Sequence, residues 1–193
     1  MAKQLPLRER ILKEAGELFL SQGFHRVTLL KVVSRARTSK SSIYKYFQSK
    51  EHLVATLVEQ LNSILDRQYE GIVQNGELGF EQKLDAITRF SIKLGELVSP
   101  SFEQDLQEQA PELWQSYRKQ HLERVQRYLR PLFRQGVREE ILRKDVQLDL
   151  LLSFYLQLLN LATRPDPELG VTVDPSEWTA HLNTLFLEGS LEP

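Results

Sequence analysis

The sequence contains no cysteine, which excludes disulfides, thiolate metal sites and a cysteine nucleophile. No run of apolar residues approaches the roughly 20 needed to cross a bilayer. The N-terminal stretch MAKQLPLRER lacks the apolar core of a signal peptide, so the expectation is a cytoplasmic chain. There is no Gly-rich phosphate loop and no strand–Ser–helix nucleophile elbow. The four histidines (His25, His52, His121, His181) are far apart, and none has a His or Cys three or four residues on. Glu139, Glu140, Asp145 and Asp149 read as surface carboxylates of helices. Nothing here predicts catalysis, a metal or a cofactor. Internal repeats, low-complexity tracts and alternating strand patterns are missing too, so an all-α fold of about nine helices is expected.

Net charge is small, −1 over 193 residues, but charge is unevenly placed. Residues 1–50 hold 11 Lys/Arg and 3 Asp/Glu, a balance of +8. Residues 51–193 hold 14 and 23, a balance of −9. A basic N-terminal quarter on an acidic remainder is the footprint of a nucleic-acid module joined to a body with another task.

The stretch Thr28–Leu53 carries the most information. Thr28 is a candidate N-cap, and Leu29, Val32, Val33 and Ala36 give the helix behind it an apolar face. Arg37-Thr38 forms a turn. Ser39 caps a second short helix reaching about Tyr46, and Ser49 caps a third. Helix, short turn and second helix make a helix-turn-helix, whose second helix enters the major groove. Lys40, Ser41 and Ser42 occupy its first turn, where base edges are reached, and Lys45 follows. The Tyr44 hydroxyl can donate to a phosphate, while the ring of its neighbour Tyr46 is expected to pack inward with Ile43 and Phe47. Lys50 sits at a helix start, whose free N–H groups attract phosphate. Thr28, Lys40, Ser41, Ser42, Tyr44, Lys45 and Lys50 are therefore the expected DNA contacts, with Lys40 and Ser42 for bases and Thr28, Tyr44 and Lys50 for phosphates.

This stretch resembles the DNA-binding half of the TetR family of bacterial transcriptional regulators. The matching residues are Thr28, Val32, Val33, Ala36, Ser39, Tyr44, Tyr46, Phe47, Lys50, Glu51 and Leu53. Three positions depart: Arg37 stands at the turn glycine, Thr38 at the usual valine and Ser41 at a frequent glycine. A non-glycine residue at positive φ costs about 1 kcal/mol, which Arg37 must bear or the turn must avoid. The close resemblance covers about the first 55 residues.

Around this head the chain reads as helices. A first helix over 7–22 carries the stripe Leu7, Ile11, Ala15, Leu18 and Phe19 and stops at Gly23 as an αL residue. Lys3, Arg8, Arg10 and Arg26 are possible flanking phosphate contacts. A fourth helix runs from Lys50 to about Gly71 with Leu53, Leu57, Leu61 and Ile64 inward, connecting head to body. A fifth covers Phe80–Leu97 with Leu84, Ile87, Leu94 and Leu97 inward, ended by Ser99-Pro100-Ser101. A short sixth covers Phe102–Gln109. The seventh starts with Pro111, and Pro131 is expected to kink or break it. Residues 146–164 are apolar nearly all round, so both sides must be covered. Asp174-Pro175-Ser176-Glu177 opens a last helix with the stripe Trp178, Leu182, Leu185 and Phe186.

The resemblance implies a DNA-binding head, taken as residues 1–52, on a helical ligand-binding and dimerisation body, 53–193. It implies a homodimer through the last two long helices, about 146–164 and 175–188, and a small-molecule effector that releases a repressor from a palindromic operator. Candidate pocket residues are Phe90, Trp114, Tyr117, His121 and Phe154. Ordinary core packing is the plainer reading of these five. The rival for the whole chain is an all-α small-molecule-binding or protein-interaction module whose head no longer reads DNA.

Overall fold

The computed structural model describes residues 5–163 and 175–190; in the last helix, side chains are described at Glu177, 181–184 and 186–188. The expected contributions of Lys3, Asp174, Trp178 and Leu185 lie outside the described residues and side chains. Among the described residues there is no strand. The helices are α1 (Leu7–Gln22), α2 (Leu29–Arg35), α3 (Lys40–Tyr46), α4 (Lys50–Gln74), α5 (Phe80–Leu97), α6 (Pro100–Gln109), α7 (Pro111–Arg124), α8 (Arg130–Arg138), α9 (Leu148–Thr163) and α10 (Pro175–Ser190). A π-helical turn, Val125–Leu129, joins α7 to α8 without a break, so the described residues form nine separate rods.

The chain divides into two compact units. One comprises the residues up to Ile64 together with Leu97–Gln120; the other comprises Leu65–Glu96 and the chain from His121 onward. The first unit buries Ile11, Ala15, Phe19, Val32, Ala36, Ile43, Phe47, Leu53 and Val54 in one cluster. These positions follow the 3.6-residue period of α1 to α4, which is why each helix has one face to bury. Phe102 and Leu106 of α6 belong to the same cluster, and Leu113, Trp114 and Tyr117 of α7 pack against it. Polar bonds fix α6 there. The Ser99 N–H donates to the Leu20 carbonyl at 2.7 Å, and the His25 N–H donates to the Asp105 carboxylate at 2.7 Å. Phe24 meets Phe102 edge-on, with ring centroids 6.1 Å apart.

The second unit is built on aromatic rings. Phe133 contacts Phe80, Tyr155 and Phe186 at centroid distances of 6.0, 5.4 and 5.9 Å. Inside it, the Thr88 hydroxyl meets the Tyr155 hydroxyl at 3.0 Å and donates to the Asn183 side-chain oxygen at 2.9 Å. This links α5, α9 and α10 through buried groups that would be costly to leave unpaired. Burial pushes the Tyr69 and Tyr155 phenols up from their ordinary value, against the opposing hydrogen bonds from Ser91 and Thr88.

Several expectations change. Ile64 and Leu97 do not point inward: they are 38% and 64% exposed, and Leu65 and Ile92 are the buried neighbours. α5 ends at Leu97 as expected, but Ser99 also opens the next helix, so α6 starts at Pro100 rather than Phe102. The Ser99 side chain accepts from the Phe102 N–H and caps α6, with Pro100 in the first turn. Gly23 ends α1 at φ 78, ψ 148, a glycine conformation but not αL. Pro131 does not break the helix. The preceding turn widens, Arg130 N–H reaching the Val125 carbonyl five residues back. Pro131 then falls in the first turn of α8, where no N–H is demanded. α4 reaches Gln74 rather than ending near Gly71.

Candidate nucleic-acid interface

Each end of the helix-turn-helix is set by a side chain. The Thr28 hydroxyl accepts from the Lys31 N–H at 3.3 Å and starts α2. The Ser39 hydroxyl accepts from the Ser42 N–H at 3.1 Å and starts α3, and the Ser49 hydroxyl accepts from the His52 N–H at 3.1 Å at the head of α4. Such caps satisfy amide groups that the helix itself cannot, each worth about 1 kcal/mol.

Between α2 and α3 the chain turns at Arg37, which adopts φ 45. The Arg37 N–H donates to Ser34 at 3.2 Å and the Thr38 N–H to Val33 at 3.1 Å, the paired bonds of a Schellman turn. The turn geometry expected of a glycine is therefore kept, and Arg37 bears the strain. Arg10 supports it from α1: its Nε donates to the Ala36 carbonyl at 3.0 Å. Arg10 is thus occupied with the turn, and Arg8 lies over the Phe47 ring at 5.5 Å.

α3 buries only Ile43, and Phe47 follows it one turn later at 0% exposure. The pair holds the helix to the core. Tyr46 does not pack inward with them. It is 42% exposed and Tyr44 is 45% exposed, because positions one residue to either side of an inward i, i+4 pair fall on its flanks. Lys40 Nζ lies 5.9 Å from the centre of the Tyr44 ring. Ser39, Ser41 and Ser42 form a hydroxyl cluster, with Ser39 Oγ 2.8 Å from both of the others. Lys40, Ser41 and Lys45 are exposed and Ser42 is half-buried. Among the described residues, Arg26, Arg37, Lys40 and Lys45 have no carboxylate within 4.0 Å. Arg35, by contrast, is paired with Glu14 at 2.8 Å and also with Glu17.

Lys50 differs from the other expected contacts. Its Nζ donates to the His25 carbonyl at 3.1 Å. Burial pulls its ammonium below the usual lysine value, with Glu51 and Asp105 opposing. Lys50 therefore already ties α4 to the α1–α2 connection. Sequence reasoning gave no hint of this bond, of the Asp105 contact beside it, or of Arg37 as a free cation at the turn.

Residues 11–57 match the model for bacterial regulatory proteins of the tetR family. This stretch of the head is thus similar to the tetR family's DNA-binding region. Among the chain's relatives is YdgC of Bacillus subtilis (strain 168), described as an HTH-type transcriptional regulator, 32% identical over 80 residues. That match covers 42% of this chain and 41% of YdgC, so the chain spans less than half of that relative in alignment. YvkB of the same organism, also described as an HTH-type transcriptional regulator, is 23% identical over 195 residues, 95% of this chain and 97% of YvkB. The ketosteroid transcriptional regulator KstR2 of Mycobacterium tuberculosis shares the fold, with a TM-score of 0.72 at 19% identity, covering 99% of this chain and 98% of that one. The chain therefore carries a head similar to the tetR DNA-binding region on an all-α fold shared with these regulators.

Of the five pocket candidates, Trp114 and Tyr117 fall in the first unit, their rings stacked 5.8 Å apart and packed against the head's cluster. Phe90 falls in the second unit, edge-on to Tyr69 at 6.1 Å. His121 is exposed, and Phe154 is 52% exposed with its ring 6.2 Å from that of Phe186. No helix of the described residues is long and apolar enough to cross a membrane, and no group of three His, Cys, Asp or Glu among them suits a metal.

Proposed function

We propose that the chain is a ligand-responsive transcriptional repressor that binds a palindromic operator as a homodimer and is released by a small molecule. The observation that carries the DNA part is α3. One face is locked by Ile43 and Phe47, and the rest presents exposed Lys40, Ser41, Tyr44 and Lys45 with no acidic neighbour on the cations. Ser42 and Lys40 read bases in this proposal, while Thr28 and Tyr44 hold phosphates. Lys50 reaches phosphate only by sharing its ammonium with the His25 carbonyl.

The dimer part rests on α9. It buries Leu151, Leu152, Tyr155 and Leu159 and leaves Leu150, Phe154 and Leu161 at 63%, 52% and 38% exposure. A soluble helix with apolar residues on its outer side calls for a cover, and a second copy of α9 and α10 supplies one. Pairing would set two recognition helices about 34–36 Å apart, one turn of the double helix. α4 runs unbroken from the head at Lys50 to Gln74, so an effector that favours one setting of α4 would change that spacing. The effector must bind one dimer state better than the other. Of the five pocket candidates, Phe90 is the one kept for the effector, since it lies half-buried in the body.

Selection from a pool of random duplexes, at about 0.1 M salt, tests the proposal. An enriched palindrome with half-sites about one helical turn apart is the expected result. Retention of all sequences alike would overturn it.

A further inference from the structure

The second unit contains an open cleft of about 690 Å³ lined by Pro131, Arg134, Val137, Arg138, Lys144, Val146, Gln147 and Leu148. It involves none of the residues assigned above to DNA or effector, and of the proposed dimer segment it takes only the first residues, Val146, Gln147 and Leu148, not the exposed Leu150, Phe154 and Leu161. Its size is that of a small-molecule site, usually 300–1,000 Å³. Its floor is apolar, from Pro131, Val137, Val146 and Leu148. Arg134 and Arg138 are one turn apart on α8, so their stems lie on one face, about 6 Å apart. Like charges at this spacing repel, and neither guanidinium has a carboxylate within 4.0 Å among the described residues. Lys144 adds a third cation, shared with Glu140 at 3.1 Å in a pair exposed to solvent and hence weak. Leu148 is the first residue of α9, and a helix start adds partial positive charge.

We infer that this cleft binds a small anionic amphiphile: a single carboxylate or phosphate head held by Arg134 and Arg138, with an aliphatic body on the Val137–Val146–Leu148 floor. Two forked guanidinium groups suit a planar or tetrahedral oxyanion, which they engage through paired hydrogen bonds. Beyond the cations the lining offers one neutral polar side chain, Gln147, against four apolar residues, so an apolar body fits better than a sugar or peptide. The operator does not enter this inference, so it stands or falls without the DNA-binding reading.

The test is isothermal titration calorimetry of the full chain, without DNA, against octanoate, 1-octanol and acetate. Octanoate is expected to bind saturably and about tenfold more tightly than octanol, since the head contributes through charge-assisted bonds, and acetate is expected not to compete. The double variant Arg134→Gln/Arg138→Gln should bind octanoate and octanol alike. Both positions are exposed, so its melting temperature should match the parent's. Val146→Asp should weaken octanoate and octanol together. Octanoate binding unchanged in the double variant, octanol equal to octanoate on the parent chain, or acetate competing at the same concentration would each overturn the inference.

Discussion

At the scale of single residues, the head's chemistry separates into groups that are free and groups that are already spoken for. Tyr44 is 45% exposed and its hydroxyl has no hydrogen-bond partner among the described residues, so Tyr44→Phe should weaken operator binding about fivefold with little change in sequence preference, as loss of one phosphate hydrogen bond would. Ser42 is half-buried and shares its hydroxyl with Ser39 Oγ. To read a base it must turn that hydroxyl outward, and Ser42→Ala should then shift preference at one base pair. Anisotropy titrations against the selected operator and single-base variants check both; uniform loss for Ser42→Ala would remove it from base reading. Arg37→Gly has two opposed effects. It relieves the φ of 45 and should raise stability by about 1 kcal/mol, seen as a higher melting temperature. It also deletes an unpaired cation, and should lower the salt slope of DNA binding by about one if Arg37 meets a phosphate.

At the scale of helices, what the sequence made legible was local. Thr28, Ser39 and Ser49 announce helix starts, and all three accept the expected backbone bonds. The inner faces of α1 to α3 follow from their 3.6 period. What could not be read is what depends on distant partners. Ser99 reads only as the end of α5 until the Leu20 carbonyl, 79 positions earlier, takes its N–H. The exposure of Leu97 and Ile64 depends on which helix packs beside them, which periodicity alone does not say. Pro131 carries a breaking signal that a π turn absorbs. Close packing offers an element-scale prediction. A Cβ on Gly136 would sit 2.8 Å from a Phe80 ring carbon and 3.0 Å from Leu142. Gly136→Val should cost about 1–3 kcal/mol by overpacking, measured by urea unfolding. A second concerns pH. Buried Tyr69 and Tyr155 have phenol pKa values above that of an unfolded tyrosine, so the folded chain holds their protons longer. Their contribution is present below about pH 10 and is lost as pH rises past the unfolded value. Absorbance at 295 nm should show these two ionising only together with alkaline unfolding, not before it.

At the scale of the whole molecule, the sequence announced a basic head and an acidic remainder, and the helix order of the body. It did not reveal that α6 and the first part of α7 belong to the same compact unit as the head, because the bonds that place them join residues some 80 positions apart. That also explains why Trp114 and Tyr117 look like pocket residues in sequence and pack on the head's cluster in the structure. The proposed dimer gives a prediction at this scale. Phe154→Glu places a charge on the outer side of α9 at the cost of one ring contact, 6.2 Å to Phe186, and an unchanged melting temperature shows the fold is kept. Sedimentation velocity should show a monomer where the parent chain is a dimer, with operator affinity reduced at least about tenfold, since one head holds only half a site. A dimer that survives Phe154→Glu would move the interface elsewhere.

In the proposed function the exposed cations of α3 and of the turn before it bind DNA. The most direct measurement is affinity for the selected duplex as a function of salt between about 0.05 and 0.2 M. A dimer whose two heads each neutralise several phosphates should lose about a hundredfold or more in affinity over that range, with a slope that falls when Lys40 and Lys45 are changed to glutamine. Affinity that stays flat with salt, or a slope the lysine changes leave untouched, would contradict the claim and favour a head kept for its structure alone.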